Sequence, residues 1–155
     1  MIALAVERRR VESTDLIGAV TALLIYGLTI AVFGARLADK ARVEHGLGIA
    51  VILLAAPLVY LLLVADAHSR SPLYFVQLSL MLLFLIAELL LDYVLRIDFR
   101  SVRWMTIGYV TLFFAGTGGM LGVAAHAGRP WSYASIVLFL LMAALAFFQR
   151  AKTGM

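Results

Sequence analysis

The sequence predicts an all-α integral membrane protein, a single domain over residues 1–155 built as a bundle of five antiparallel transmembrane helices. The first observation is composition: the chain is 64% hydrophobic and only 14% charged, whereas soluble domains average about 45–50% and about 25%. The second is patterning, because the apolar residues fall into five runs. Each run is near the roughly 20 residues that a helix needs to cross a bilayer.

Short polar segments separate the five runs and set their approximate bounds. Ser13, Thr14 and Asp15 precede the first run, and any of them can cap a helix N-terminus. Pro72 and Pro130 precede the third and fifth runs, and proline is favoured in the first turn of a helix. Connections this short make consecutive helices antiparallel neighbours. The predicted spans are 16–37, 46–65, 73–97, 104–125 and 131–148.

Lysine and arginine between the spans predict the orientation, since they are enriched on the cytoplasmic side. One side carries Arg8, Arg9, Arg10, Arg70 and Arg129; the other carries Arg36, Lys40, Arg42, Arg96, Arg100, Arg103, Arg150 and Lys152. The excess on the second side predicts an N-terminus outside and a C-terminus in the cytoplasm. The first run is interpreted as a span, because a signal peptide's apolar region is only about 7–15 residues long.

Composition also narrows the chemistry. The absence of cysteine excludes disulfides, thiolate metal sites and cysteine nucleophiles. The net charge of +4 comes from short basic clusters at the ends of apolar runs, so the expected partner is a lipid bilayer and not nucleic acid. Lys40 and Lys152 are the only lysines and lie outside the spans, which leaves no buried amine for a Schiff base. No nucleophile–base pair is recognisable, and a membrane enzyme is the least favoured class.

Two histidines on the predicted outer side are weak candidate metal or haem ligands. His68 and His126 follow the second and fourth spans, and Asp66 lies close to His68 in the sequence. Imidazole ligands normally occur in organised sets with supporting side chains, and no such spacing is present. The alternative is that both histidines are solvated loop residues. We therefore predict no cofactor.

A glycine-rich stretch in the fourth span predicts close helix packing. Gly118 and Gly122 form a GxxxG pair, which lets two membrane helices approach closely. The contact can lie within the chain or between copies in a homo-oligomer, and the sequence leaves both open. Pro57, in the second span, lacks an amide hydrogen and is expected to free the carbonyl of Leu53.

The strongest anomaly is a pair of carboxylates, Glu88 and Asp92, inside the third span. A carboxylate at mid-span costs about 2.5–3.5 kcal/mol on insertion scales and usually faces a bundle interior or a water-filled cavity. The i, i+4 spacing places both on one helix face. Arg96 continues this face by another four residues, which predicts an ion pair between Asp92 and Arg96.

Depth identifies the residues expected to meet Glu88. It precedes Ile97, the predicted end of its span, by nine residues, or about 13 Å at about 1.5 Å per residue. Tyr26 and Thr29 lie at a similar depth in the first span, and Tyr109 lies slightly nearer the surface in the fourth. The predicted ligand or proton site therefore comprises Glu88, Asp92, Arg96, Tyr26, Thr29 and Tyr109. The alternative is that these polar side chains only stabilise helix packing.

Three function classes follow. The first is a transport protein, or a bundle that binds a small or hydrophobic ligand, with a buried acidic site. The second is a non-catalytic subunit or assembly factor of a larger membrane complex. The third, a membrane enzyme, is the least favoured.

Overall fold

The structure is a computed structural model that describes residues 12–96 and 102–153. All regular secondary structure in these residues is helical, which confirms the all-α prediction. Several predicted features lie outside the described residues: Arg8, Arg9, Arg10, Arg100 and Ile97. The helices are α1 Ser13–Leu37, α2 Ala41–Leu53, α3 Ala55–Val64, α4 Pro72–Glu88, a π-helical segment Leu89–Val94, α5 Arg103–Ala125 and α6 Arg129–Thr153.

In the part of the chain that the structure describes, five helices are long and apolar enough to cross a membrane. The helices α2 and α3 together form one of them, and α4 continues through the π-helical segment to form another. Two predicted bounds were too short, because α2 begins at Ala41 and α6 extends to Thr153. In both cases charged residues at a helix end were interpreted as loop. The five are Ser13–Leu37, Ala41–Val64, Pro72–Val94, Arg103–Ala125 and Arg129–Lys152.

The helix N-terminus at α1 differs from the prediction. The helix begins at Ser13 with Glu12 at the capping position, and no side-chain cap hydrogen bond forms there. Thr14 and Asp15 lie inside the first turn and are buried. Asp15 therefore has a role other than capping.

The second span is interrupted at Leu54, between α2 and α3. The interruption lies three residues before Pro57, which has no amide hydrogen to donate to the carbonyl of Leu53. The amide of Leu54 donates to the carbonyl of Val51, three residues earlier, at 3.1 Å, and this turn is tighter than a turn of an α-helix. The chain continues in α3 without leaving the bundle.

Apolar side chains fill the interior and also cover much of the outer surface. The fully buried set includes Tyr26, Leu58, Leu78, Met81 and Met120. Leu63 is nonetheless 76% exposed and Val137 64% exposed, and they are two of many large apolar side chains that point outwards. Soluble monomers rarely expose contiguous apolar surface on this scale.

Helices α4 and α5 pack with their backbones in close contact at three glycines. A Cβ atom on Gly116 would lie 3.1 Å from Cα of Met81, and one on Gly119 would lie 3.3 Å from Cα of Gln77. A Cβ atom on Gly122 would overlap the side-chain amide of Gln77. A side chain at any of these positions would crowd α4, most severely at Gly116, where the neighbours are backbone atoms.

The two glycines of the predicted packing pair have different surroundings. Gly122 belongs to the contact, but no described atom lies within 4 Å of a Cβ built on Gly118. Gly118 is about 100° around the helix from Gly119, the middle glycine of the contact face. Within the described residues Gly118 does not pack against another helix, and a contact with a second copy through it stays a prediction.

Candidate functional site

Two ion pairs distinguish the ends of the bundle. Arg36, near the end of α1, pairs with Glu44 near the start of α2, with Arg36 Nη2 and Glu44 Oε1 2.5 Å apart. At the start of α1, Asp15 pairs with Arg70, which lies just before α4. The end of the bundle that holds the first ion pair is called the Arg36 end, and the end that holds the second is called the Asp15 end.

Glu88 and Tyr109, both predicted site residues, are in direct contact near the Arg36 end. The Tyr109 hydroxyl donates a hydrogen bond to Glu88 Oε2, which joins α4 to α5. Phe84 lies one turn before Glu88, and its ring centroid is 5.6 Å from that of Tyr109. The contact fixes the position of the carboxylate against an aromatic surface.

The helix changes its geometry directly after Glu88. Residues Leu89–Val94 form a π-helix, in which each backbone hydrogen bond spans five residues where that of an α-helix spans four. The Leu95 amide bonds to the Leu90 carbonyl at 2.8 Å, a separation of five residues. Arg96 then adopts a left-handed backbone with φ of 50°, beyond the helix. Arg96 thus does not continue a helical face with Glu88 and Asp92, contrary to the prediction. Short π-helical insertions often occur at functional sites.

A cavity of about 190 Å³ lies beside Glu88. Side chains from α1, α2, α4, α5 and α6 line it. The site residues predicted from the sequence come from the first, third and fourth spans, and none of them comes from α6, which contributes Ala146 and Phe147 to the cavity. Most of the wall is aromatic and consists of Phe33, Phe84, Phe113, Phe114 and Phe147.

The aromatic wall is a connected set of rings. The ring centroids of Phe113 lie 5.3 Å from Phe84 and 6.2 Å from Phe33, both edge to face. Phe114 stacks on Phe147 at 5.8 Å and so links α5 to α6. Phe147 is 63% exposed, so the cavity wall reaches the outer surface of the bundle beside α6. The polar residues in the lining are Thr29, Arg36, Glu88, Thr106, Tyr109, Gln149 and Arg150.

A second, polar groove of about 320 Å³ adjoins this cavity at the Arg36 end. Both are lined by Arg36, Gly48 and Glu88. The groove is also lined by Glu44 and Asp92, which adds two carboxylates to that of Glu88. Glu88 therefore lies between an apolar cavity and a polar groove.

Tyr93, from the π-helical segment, forms part of the groove wall. Its hydroxyl donates to the His45 carbonyl at 3.2 Å, and the two ring centroids are 4.8 Å apart. A Cβ atom on Gly48 would overlap this hydroxyl. The absence of a side chain at Gly48 thus lets Tyr93 lie across α2.

Of the two predicted site residues in α1, only Thr29 reaches the cavity. Tyr26 is fully buried elsewhere, and its hydroxyl donates to the Thr117 carbonyl in α5 at 2.7 Å. Tyr26, which the sequence predicted at the site, therefore does not line the cavity beside Glu88. Equal depth along a span does not fix the direction in which a side chain points, and Tyr26 instead joins α1 to α5.

The Asp15 end holds a buried ionic cluster that the sequence did not reveal. Asp15 Oδ1 and Arg70 Nη2 are 2.6 Å apart, and their side chains are 6% and 12% exposed. Arg70 Nη2 also lies 3.3 Å from Glu12 Oε2, and its guanidinium carbon lies 5.4 Å from the centre of the Tyr74 ring. The cluster connects α1 to the start of α4 across a separation of 55 residues, a distance at which no sequence spacing signals a contact.

The two histidines considered as metal ligands have separate partners at this end. His68 Nδ1 lies 3.2 Å from Glu12 Oε2, and His126 Nδ1 lies 2.8 Å from the Gly122 carbonyl. The His126 ring also packs against Tyr74. Among residues 12–96 and 102–153, no group of three or more His, Asp or Glu side chains is arranged to hold a metal ion.

Comparison of the chain with protein-family models, curated protein sequences and solved structures gives no match. A function for this protein must therefore come from the geometry and chemistry of its own side chains. The cavity beside Glu88 is the place where these are most unusual for an apolar bundle.

Proposed function

We propose that this chain is an integral membrane protein, a bundle of five antiparallel helices, that binds or transports a small hydrophobic or amphiphilic ligand in the cavity beside Glu88. The observation that carries the proposal is the junction at Glu88, where a cavity with phenylalanine walls meets a groove with three carboxylates. Ligand pockets combine a mostly apolar wall with a few convergent polar groups.

Membrane insertion is supported by the outward-facing apolar side chains and by the five helices of spanning length. The proposed orientation places the Asp15 end outside and the Arg36 end in the cytoplasm. A reporter fused after Met155 is expected to give a cytoplasmic signal, because Lys and Arg are concentrated at the Arg36 end. An exterior signal from this fusion would reverse the orientation.

The position of Glu88 supports a binding role over simple packing. A carboxylate within a span costs about 2.5–3.5 kcal/mol on insertion scales. Glu88 accepts a hydrogen bond from Tyr109 and lines both the apolar cavity and the polar groove. Intramembrane acids commonly mark substrate or ion pathways, which supports a binding role for this one.

Access to the cavity is supported on two sides. The aromatic wall reaches the outer surface at Phe147, where an apolar ligand can enter from the lipid. The polar groove leads from Glu88 towards Glu44 and Asp92 at the Arg36 end. A ligand that passes between these two openings would move between bilayer and water.

Filling the cavity tests the proposal. Ala146 lines the cavity on α6, and Ala146→Phe is expected to abolish binding of para-fluorobenzyl alcohol, a neutral probe of one ring. The readout is ligand-observed fluorine NMR with the protein in lipid nanodiscs. The matched control is Ala144→Phe, since Ala144 lies on the same helix and is exposed on the surface.

The two variants give opposite expectations. Binding that persists in Ala144→Phe and is lost in Ala146→Phe supports the cavity as the site. Equal binding to both variants and to the wild type would show that the probe only partitions into lipid or binds elsewhere, which contradicts the proposal.

A second candidate function is a subunit of a larger membrane complex. It is favoured by one observation, the open space beside Gly118, which directly precedes Gly119 of the contact with α4. This function predicts that the chain co-purifies with other membrane proteins from gentle detergent and is unstable alone. A chain that is stable alone and binds the aromatic probe favours the first function.

A further inference from the structure

We infer that the end of the bundle where α5 begins and α6 ends binds an anionic phospholipid. The lipid phosphate would lie between Arg103 and Arg150, and an acyl chain would lie along Phe147, on the outer surface of the bundle. The inference goes beyond the proposed ligand cavity. It requires that the chain lies in a membrane, and it does not require that the cavity holds a ligand.

Helices α5 and α6 carry positive charge and no carboxylate. Neither helix contains Asp or Glu, and Arg103, Arg150 and Lys152 are exposed at the Arg36 end. Among the described residues these three cations form no ion pair, whereas Arg36 and Arg70 are each held by a carboxylate. The positive charge at this corner of the bundle is therefore available to an anion from outside the chain.

Arg103 and Arg150 lie on the two sides of one seam between helices. Phe114 of α5 stacks on Phe147 of α6 at 5.8 Å, which shows the faces by which these helices meet. Arg103 precedes Phe114 by about three helical turns and therefore shares its face of α5. Arg150 follows Phe147 by three residues and lies on the same side of α6. Arg150 also lines the cavity together with Thr106, from the first turn of α5. The two arginines thus flank the seam at the Arg36 end.

From the arginines towards the middle of the bundle, the seam is apolar and open to lipid. Phe147 is 63% exposed, and Ile107, one turn after Arg103, is 45% exposed. Trp104, next to Arg103, is 80% exposed, and tryptophan is enriched at the level of the lipid head groups. The order of cation, tryptophan and apolar side chains along the seam matches the order of head group and acyl chain in a phospholipid.

The charges favour an anionic lipid over a zwitterionic one. A guanidinium group can bind a phosphate through two parallel hydrogen bonds, and basic pockets between membrane helices bind anionic head groups. Phosphatidylcholine would bring an ammonium group into a cluster of cations, and neither α5 nor α6 has a carboxylate to receive it. Phosphatidylglycerol presents the phosphate without this positive charge.

The two tryptophans of the chain can report on the lipid at each end of the bundle. Trp104 lies at the start of α5 and Trp131 at the start of α6, so they lie at opposite ends. Trp131→Phe leaves Trp104 as the sole reporter, and Trp104→Phe leaves Trp131. Each protein is placed in phosphatidylcholine nanodiscs with a minor fraction of a lipid that carries bromine on its acyl chains, which quenches nearby tryptophan. The brominated lipid is either phosphatidylglycerol or phosphatidylcholine.

The quenching of Trp104 is expected to show at least about a fivefold local enrichment of phosphatidylglycerol over phosphatidylcholine, the factor expected of one basic residue near a membrane surface. Trp131 is expected to show no such preference, because the exposed charges at its end include Glu12 and Asp66 as well as Arg129. Native mass spectrometry of the wild-type chain with the two lipids makes the same comparison if Trp131→Phe does not fold.

Arg103→Gln combined with Arg150→Gln is expected to abolish the preference at Trp104. The matched control is Lys40→Gln combined with Arg42→Gln, which removes the same charge from exposed residues of the same end, around the start of α2. This control should retain the preference, because a site on the seam between α5 and α6 does not include these residues.

Three outcomes would overturn the inference. Equal quenching of Trp104 by the two brominated lipids would reject an anionic lipid and favour an acidic protein as the partner. Equal loss of the preference in both double variants would show a diffuse attraction and no site. Loss of the preference with inorganic phosphate, but not with sodium chloride at the same ionic strength, would identify a site for free phosphate. None of these outcomes affects the test of the ligand cavity with Ala146→Phe.

Discussion

Gly116→Leu is expected to lower the free energy of unfolding by about 3 kcal/mol, at the upper end of the usual cost of overpacking. A Cβ atom at Gly116 would lie 3.1 Å from Cα of Met81 and 3.2 Å from the Leu80 carbonyl oxygen. These neighbours are backbone atoms, which cannot rotate away as a side chain can. Leucine at this position therefore pushes α4 and α5 apart. Unfolding in mixed micelles, followed by circular dichroism, measures the effect.

Gly118→Leu is the matched control for this prediction. It places the same side chain on the same helix two residues later, where no described atom lies within 4 Å of the new Cβ. Surface substitutions of this kind usually change stability by no more than about 0.5 kcal/mol. If Gly118→Leu destabilises the protein as much as Gly116→Leu does, the contact between α4 and α5 is not the one described. A change in oligomeric state in Gly118→Leu alone would identify a contact between copies.

Arg70→Gln is expected to have a comparable effect, a loss of about 3 kcal/mol, because it leaves a buried carboxylate without its cationic partner. The side chain of Asp15 is 6% exposed, and Arg70 Nη2 lies 2.6 Å from its Oδ1. The arginine also contacts Glu12, so its removal affects two carboxylates. Thermal unfolding in nanodiscs is a suitable measurement.

A double variant separates the ion pair from other effects of the substitution. Arg70→Gln combined with Asp15→Asn should recover part of the lost stability, since neither charge is then left alone. Arg129→Gln is the control, because Arg129 is an exposed arginine at the start of α6. Equal losses from Arg70→Gln and Arg129→Gln, without recovery in the double variant, would show that the buried pair contributes nothing specific.

The helical class and the five apolar helices were predictable from the sequence, because run length and composition determine both. The exact ends of the helices were less predictable. Polar residues such as Arg42 and Glu44 were interpreted as loop although α2 begins at Ala41, since a helix can extend beyond the apolar region that a composition argument detects. The π-helical segment was not predictable either, because residues 89–94 carry no Pro or Gly that signals a change of helix type.

Of the candidate site, the sequence indicated Glu88 and Tyr109 but not the aromatic walls of the cavity. Glu88 was identified by the cost of its charge, and Tyr109 by its depth. The phenylalanines of α5 and α6 resemble any other apolar residues in a span, so nothing in the sequence separates Phe147 from Phe148. Tyr26 was included in the predicted site because of its depth, but it does not line the cavity. Depth follows from residue number, whereas the direction of a side chain depends on how the helices rotate against each other.

The glycines illustrate the limit of motif arguments. The GxxxG pattern selected Gly118 and Gly122, but the observed contact uses Gly116, Gly119 and Gly122. Both sets are small residues on one helix, and the sequence alone does not state which face meets a neighbour. The position of α4, set by the whole bundle, selects the face.

Photoaffinity labelling tests the central claim, a ligand cavity between five helices beside Glu88, most directly. The probe is benzyl alcohol with a diazirine on its ring, applied to the protein in nanodiscs and followed by peptide mapping. The predicted result is labelling concentrated on residues 106–114 of α5 and 146–150 of α6, which is abolished in Ala146→Phe and retained in Ala144→Phe. Labelling spread over the exposed apolar residues of all helices, and unchanged in Ala146→Phe, would contradict the claim.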